Sequence, residues 1–355
     1  MKTTKRRADA GIESDPFGEA APVLVRRPVN LLGGRFHFES NSEELLALVD
    51  AAYGGLPGQV FSPAPRPFQV KLMLTPAPAG SVRRSARRKE PPPISMLHGA
   101  GFFGSATPSS TFVALCPKER TGLVSVSEEM MRFPYHVRYE LIEFAVFTLA
   151  CRAQRLVPLH AACVGIGGRG ILLMGSSGAG KSTVALQCLL EGFDFLSEDS
   201  VFVAPKSMRA TGAANFLHVR ADSLRWLSPS RARSLIGRSP VIQRRSGIKK
   251  FEVDLRRGKF HLAKTPLKIV GVAFLSAQRA RKGPLMRRLS ESDTLARLKL
   301  EQAYGASLPQ WHTFSRTLLR LGGTEILRGP HPSASVEALR SLLRQGITKF
   351  HRSPA

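Results

Sequence analysis

The run from Ile171 to Thr183, ILLMGSSGAGKST, sets a short apolar strand directly before a complete GxxxxGK[ST] loop, and Val184 to Leu190 continues as a helix. No other feature limits the fold as tightly, because strand, glycine loop and helix in this order form one mechanical unit. Gly175, Gly178 and Gly180 let the backbone turn sharply, so that its N–H groups and the helix N-terminus converge on an anion. Ser176, Ser177 and Ala179 complete the loop. Lys181 is expected to meet the β and γ phosphates of a nucleotide, the Ser182 hydroxyl to ligate magnesium, and Thr183 to close the motif. ATP and Mg2+ are therefore the expected ligands.

The length of 355 residues and a hydrophobic share of 43% support a sizeable core. No stretch reaches the roughly 18 uninterrupted apolar residues of a membrane span, since the best candidate, near Phe144, is broken by Arg152 and Arg155. Met1-Lys-Thr-Thr-Lys-Arg-Arg7 lacks the apolar segment of a secretory signal, so a cytoplasmic location is expected. Cys116, Cys151, Cys163 and Cys188 have no metal-ligand spacing and read as free thiols. The net charge of +26 creates a field that attracts polyanions. Yet the densest basic run, Arg83 to Lys89, lies among prolines without interleaved aromatics, which argues against nucleic acid and for a basic surface suited to ATP or an acidic substrate.

The pattern is that of an α/β chain. Residues 1–23 read as a disordered leader and residues 24–152 as a small α+β domain with a Pro/Arg-rich loop at 76–93. Within that domain Arg35 to Phe38 alternates as a strand, and Ser40 with Glu43 forms a capping box for a helix that Gly54-Gly55 ends. Phe68 to Leu74 and Phe112 to Val126 are strand-like, and Tyr135 to Arg152 is an aromatic-rich helix. Residues 153–350 read as a P-loop domain in which Ala161 to Ile166 pairs with the strand before the loop as a hairpin. Further strands are expected at 250–255 and 267–275, and helices at 292–304, 311–321 and 335–343.

Phosphoryl transfer also needs carboxylates, and Glu198-Asp199 supplies two between a pair of strand-like runs, where α/β sheets bind ligands. Adjacent side chains on an extended segment diverge, so either a bend brings both into one site or only one does chemistry. A turn acid beside a solvated acid is the structural alternative. His160 by itself reads as readily as a core or turn residue.

Together, Leu159 to Val164, the 175–183 loop and Gly192 to Val201 resemble the kinase domain of HPr kinase/phosphorylase, bacterial enzymes that phosphorylate a serine on a phosphocarrier protein. The resemblance covers residues 155–205 and extends more faintly through Lys249-Lys250 and Pro266-Leu267 to the C-terminal helices. It implies a nucleotide-binding core like that of phosphoenolpyruvate carboxykinase, and a homo-oligomer. It implies that Glu198 exchanges a proton with the acceptor hydroxyl, that Asp199 supports magnesium, and that His160 supports them or touches phosphate. Lys249 or Lys250 is a candidate for a further phosphate contact, as is Arg220, with ordinary surface basic residues as the alternative reading of each. Glu198 stands where the family has aspartate, which lengthens the reach of the carboxylate by one methylene. The family's glycine-rich signature after the acidic pair and its C-terminal basic loop have no counterpart. The implied activity is thus a kinase acting on a serine-type hydroxyl of a protein or peptide other than HPr. A small-molecule kinase and a nucleotide-responsive module without an acceptor are the competing readings.

Overall fold

The computed structural model of the chain describes residues 23–76, 90–108, 110–228, 230–280 and 284–350. The expected leader, apart from Val23, and most of the Pro/Arg-rich loop with its basic run lie outside the described residues.

The N-terminal part forms a seven-stranded sheet in the order β1 (Val25–Leu31), β2 (Gly34–Ser40), β3 (Phe68–Thr75), β7 (Thr121–Ser127), β6 (Phe112–Cys116), β5 (Phe102–Ala106), β4 (Ser95–Gly99). The β2–β3 and β3–β7 pairs are parallel and the rest antiparallel. Helix α1 (Glu43–Tyr53) makes the crossover from β2 to β3 that a parallel pair requires, burying Leu45, Leu46, Val49, Ala52 and Tyr53. Its cap is Ser42, which accepts the Leu45 N–H, and not Ser40 as the sequence predicts. Ser40 is still the last residue of β2; its hydroxyl is buried and bonds the Leu72 carbonyl across the sheet. The last turn of α1 has no basic residue, and donors from afar satisfy its carbonyls: Arg256 bonds Ala51 and Gly54, and Asn215 bonds Ala52.

The expected single helix over 135–152 is a composite. Pro134–His136 leads into a π-helical segment, Val137–Ile142, which continues as α2 (Glu143–Gln154). Widened turns of this kind mark places where side chains are re-aimed, and here Arg138 and Tyr139 reach across to the second half of the chain.

That second half is built on a nine-stranded mixed sheet. Its main path is β11 (Asp194–Ser197), β9 (Ala162–Ile166), β10 (Arg169–Met174), β17 (Leu267–Arg279), β13 (Arg209–Gly212), β12 (Ser200–Ala204), β8 (Val157–His160). β19 (Gly323–Arg328) also pairs with β17, and β18 (Met286–Arg288) with β19. The hairpin of β9 and β10 forms as expected, and β10 runs parallel to β17. Residues of β10 alternate between two cores: Ile171 and Leu173 face α3 (Lys181–Leu190) and α6 (Pro332–Phe350), while Leu172 and Met174 face α5 (Trp311–Leu321). Burial on both faces explains why this strand reads as an unbroken apolar run. A small sheet, β14 (Phe216–Val219), β16 (Lys249–Asp254) and β15 (Val241–Gln243), stands beside the loop. The helix expected over 292–304 breaks: α4 (Glu291–Glu301) ends at Gln302, and Ala303–Ala306 resumes it. Among the described residues no helix is long and apolar enough to cross a membrane.

Gln59, 3% exposed, ties the two halves. Its amide bonds the Ala263 carbonyl at 2.9 Å, the Thr211 hydroxyl at 2.8 Å and the Gly212 N–H at 3.2 Å. Gln59→Ala strands three buried polar groups and is expected to cost about 3 kcal/mol, seen as a lowered urea midpoint; Ser42→Ala, which removes only a helix cap, should cost about 1 kcal/mol.

Candidate functional site

The glycine loop leaves β10 at the C-terminal ends of β10 and β17, the edge at which open α/β sheets bind ligands. Gly175 sits at φ +146°, and a Cβ there would lie 2.6 Å from the Leu275 carbonyl, so the approach of the loop to β17 demands glycine. Gly180 caps α3 at φ +103°, and no side chain caps that helix, so its first N–H groups face the cleft. The Lys181 ammonium bonds the Gly175 carbonyl at 2.6 Å. From the end of β19, Arg328 grips the Gly178 carbonyl at 2.9 Å. Thr183 meets Ser223 at 3.2 Å, tying α3 to the turn Ala221–Trp226.

A cleft of about 420 Å³ lies over the loop and collects all of residues 176–183 together with His160, Glu198 and Asp199. The acidic pair occupies the bend between β11 and β12, just after a register shift in the β11–β9 pairing between Phe195 and Ser197, and both carboxylates line one cleft. Their environments differ. Glu198 is 5% exposed, and its Oε2 accepts the His218 backbone N–H at 2.7 Å and faces His218 Nδ1 at 3.3 Å. Asp199 is half-buried, with Oδ1 2.8 Å from His160 Nδ1 and Oδ2 3.8 Å from Arg244.

His160 reaches Asp199 through the β8–β12 register, which sets His160 opposite Ser200. The break after α4 adds a clamp: Gln302 accepts the His160 N–H at 2.8 Å and donates to the His160 carbonyl at 3.1 Å. Burial by itself would raise the Asp199 carboxyl, but the hydrogen bond and charge of His160, with Arg244 and Lys250, bring it down to about 2, so it is ionised at neutral pH.

Behind Glu198 runs a buried polar chain. His218 Nε2 meets the Tyr139 hydroxyl at 2.9 Å and Glu252 at 3.7 Å, and Glu252 pairs with Arg138 at 2.5 Å. Burial lowers the His218 imidazole, yet the bonds to Glu198 and Glu252 leave it above its ordinary value. Glu143, on α2, keeps some solvent-accessible surface but has its carboxyl deep among protein atoms, and burial pushes it up to about 8 against the pull of His218 and Arg138.

Of the cationic positions suggested by the sequence, Lys250 and Arg220 line the cleft, whereas Lys249 is exposed outside it. Burial, then Arg244 and Arg220, hold the Lys250 ammonium below its ordinary range against the pull of Glu198 and Asp199. Sequence reasoning missed Arg244, His218, Arg328 and Gln302. His218 and Glu252 are ladder partners on β14 and β16, and no motif announces that pairing. Arg244 sits in the β15–β16 turn, fixed because Arg245 pairs with Glu140 at 2.6 Å and bonds the Pro92 carbonyl at 2.8 Å.

Ser182, Glu198 and Asp199 bring hydroxyl and carboxylate oxygens to one cleft, the hard donors that magnesium takes together with phosphate and water. Among the described residues no group of three or more His, Cys, Asp or Glu side chains is placed to hold a metal ion.

These features define an α/β protein with a glycine-rich loop facing a carboxylate pair. The chain is distantly related in sequence to HPr kinase/phosphorylase, an enzyme family. It is 31% identical over 114 residues to the HPr kinase/phosphorylase of Clostridium beijerinckii, a match that covers 31% of this chain and 38% of that protein. The chain thus spans well under half the length of that curated relative. A solved structure, the Hpr(Ser) kinase/phosphatase of Coxiella burnetii, is 14% identical and aligns over 55% of this chain and 98% of that one with a TM-score of 0.28. No protein-family model matches the sequence.

Glu143 makes stability depend on pH with a fixed sign. An acid whose folded value lies near 8 and whose unfolded value lies near 4.5 binds more protons folded than unfolded between those limits, so stability falls as pH rises from 4.5 to 8. Glu143→Gln is expected to flatten this decline in thermal melts at pH 5, 6.5 and 8, and to leave the variant more stable than the parent at pH 8.

Proposed function

We propose that the chain is an ATP- and Mg2+-dependent kinase that transfers the γ-phosphoryl group to a serine-type hydroxyl of a protein or peptide other than HPr. The observation that carries this reading is the convergence of the GxxxxGK[ST] loop and the His160–Asp199 pair on one cleft. The loop N–H groups and Lys181 bind the phosphates, and Arg244, Lys250, Arg220 and Arg328 add positive charge around them. Bound magnesium would neutralise charge on the phosphates, and Ser182 with a carboxylate of the pair would hold it.

The resemblance gives Glu198 the proton of the acceptor and Asp199 the metal; the environments of the two acids support the opposite division. Glu198 is buried and locked by His218, and it faces only the loop side of the site. Asp199 is ionised and more open, and a histidine partner holds it in place. In a loose phosphoryl-transfer transition state the hydroxyl keeps its proton until late, so a weakly basic carboxylate suffices if it is well placed. His160 then orients Asp199, and the Gln302 clamp orients His160. The division into a leader over 1–23, a domain over 24–152 and a kinase domain over 153–350 belongs to the same proposal. Residues 24–152 would support the site through Arg138, Tyr139 and Glu140.

Incubation with γ-labelled ATP, magnesium and a lysate of the source cells tests the reading. Label is expected in a macromolecule with the parent protein and none with Lys181→Ala, which loses nucleotide affinity. Asp199→Asn should lower transfer 10²–10⁴-fold while keeping that affinity, and Glu198→Gln should raise the magnesium concentration needed for half-maximal rate. Label confined to small molecules would replace the protein acceptor with a low-molecular-weight one, and ATP binding without transfer would leave a nucleotide-responsive module.

A further inference from the structure

A second cavity, of about 280 Å³, meets the first at His160 and Asp199, the two residues that line both. Its walls are Phe147 and Thr148 from α2, Pro158 from β8, Phe202 from β12, and Tyr304 beyond the break in α4. The lining is thus largely aromatic and apolar, with the reacting carboxylate at one end. Phe147 and Phe202 pack edge to face at 4.9 Å and fix one wall. Tyr304 forms the rim; it is 58% exposed, with its hydroxyl held by Arg152 at 3.1 Å.

One group in this cavity lacks a partner. Glu301 Oε2 is buried and accepts no hydrogen bond, although the backbone of Gly175 bonds the same carboxyl. Glu301 lines this cavity, but that oxygen presents no surface to it and is a local cost that a ligand there does not relieve. Apolar walls ending at a carboxylate describe a ligand with two matching parts: an aromatic or bulky apolar group and a hydroxyl.

We propose that this cavity is the acceptor site, and that it selects a peptide hydroxyl flanked by an aromatic side chain. The inference rests on the kinase reading for its reaction, but not for its binding preference. The aromatic group fills the space between Phe147, Phe202 and Tyr304, and the hydroxyl lies at Asp199. In the transfer, the hydroxyl oxygen bonds to the γ phosphorus, the bond from that phosphorus to the β–γ bridging oxygen breaks, ADP leaves with the electron pair, and the hydroxyl proton passes to Asp199. This placement explains why Asp199 and His160 face two cavities while Glu198 faces one: nucleotide and acceptor occupy separate cavities and meet at the pair.

The test uses the full chain with magnesium, a non-hydrolysable ATP analogue and two probe peptides, acetyl-Gly-Ser-Phe-Gly-amide and acetyl-Gly-Ser-Gly-Gly-amide, with binding followed by NMR titration. The phenylalanine peptide is expected to bind at least tenfold more tightly. Thr148→Phe, which fills the cavity, should abolish the preference while leaving affinity for the analogue unchanged. Tyr304→Ala, at an exposed position, should weaken the preference severalfold even if the filled variant folds poorly. Equal binding of the two peptides, or a preference that survives both substitutions, overturns the proposal. Labelled ATP supplied with the bound phenylalanine peptide then separates the two claims: transfer supports both, whereas preferential binding without transfer overturns the kinase reading and leaves the ligand class of the cavity standing.

Discussion

The parallel pairing of β10 with β17 is the constraint on which the rest of the structure depends. Because β10 is buried on both faces, the chain leaving it emerges at the edge of the sheet beside the Leu275 carbonyl, where only glycine fits. The loop then starts α3 with its N–H groups facing outward, and the apolar face of α3 packs back onto the same sheet. The geometry of the glycine loop is thus a consequence of how two strands and one helix bury their apolar surface. The carboxylates lie on the bend between β11 and β12, and β11, antiparallel to β9 as β10 is, ends at the same edge of the sheet. They reach the loop because β11 lies beside β9 and β12 beside β8 in the same sheet.

Around this framework the polar groups fall into two sets with different duties. His160, Asp199 and Arg244 are partly exposed and line the cleft, with Asp199 kept ionised by its neighbours. Glu198, His218, Glu252, Arg138 and Tyr139 form a buried chain reaching back to the π-helical segment. Buried charges persist only when paired and hydrogen-bonded, and each link here has such a partner. The chain fixes Glu198 and couples the helical run of the N-terminal half to the site, and Arg245–Glu140 does the same for the turn bearing Arg244. Gln59 and Arg256 add ties whose partners lie far away in sequence.

Much of this was legible beforehand. Strands, loop and helix over 161–190 follow from an apolar run, three glycines and a helical pattern that agree with one another. The bend at Glu198-Asp199 was readable because two acids interrupt strand-like sequence. Elsewhere local signals misled. Ser40 and Glu43 imitate a capping box, but cross-strand bonding claims Ser40 and leaves the cap to Ser42. Periodicity over 135–152 averages across the π-helical turns, and Gln302 breaks α4 without glycine or proline because its amide is committed to His160.

The sequence by itself determined the elements whose chemistry is local: the glycine loop, the strand before it, the helix after it, and the presence of two adjacent carboxylates. Spacing along the chain encodes these, since each depends on neighbours within a few residues. Only the tertiary structure decided which carboxylate is locked and which is open, that Lys250 and not Lys249 faces the cleft, and that Arg244, His218 and Arg328 line it. Those outcomes depend on strand register and on burial, which bring Arg138, Arg244 and Arg328 against partners that no local pattern can specify.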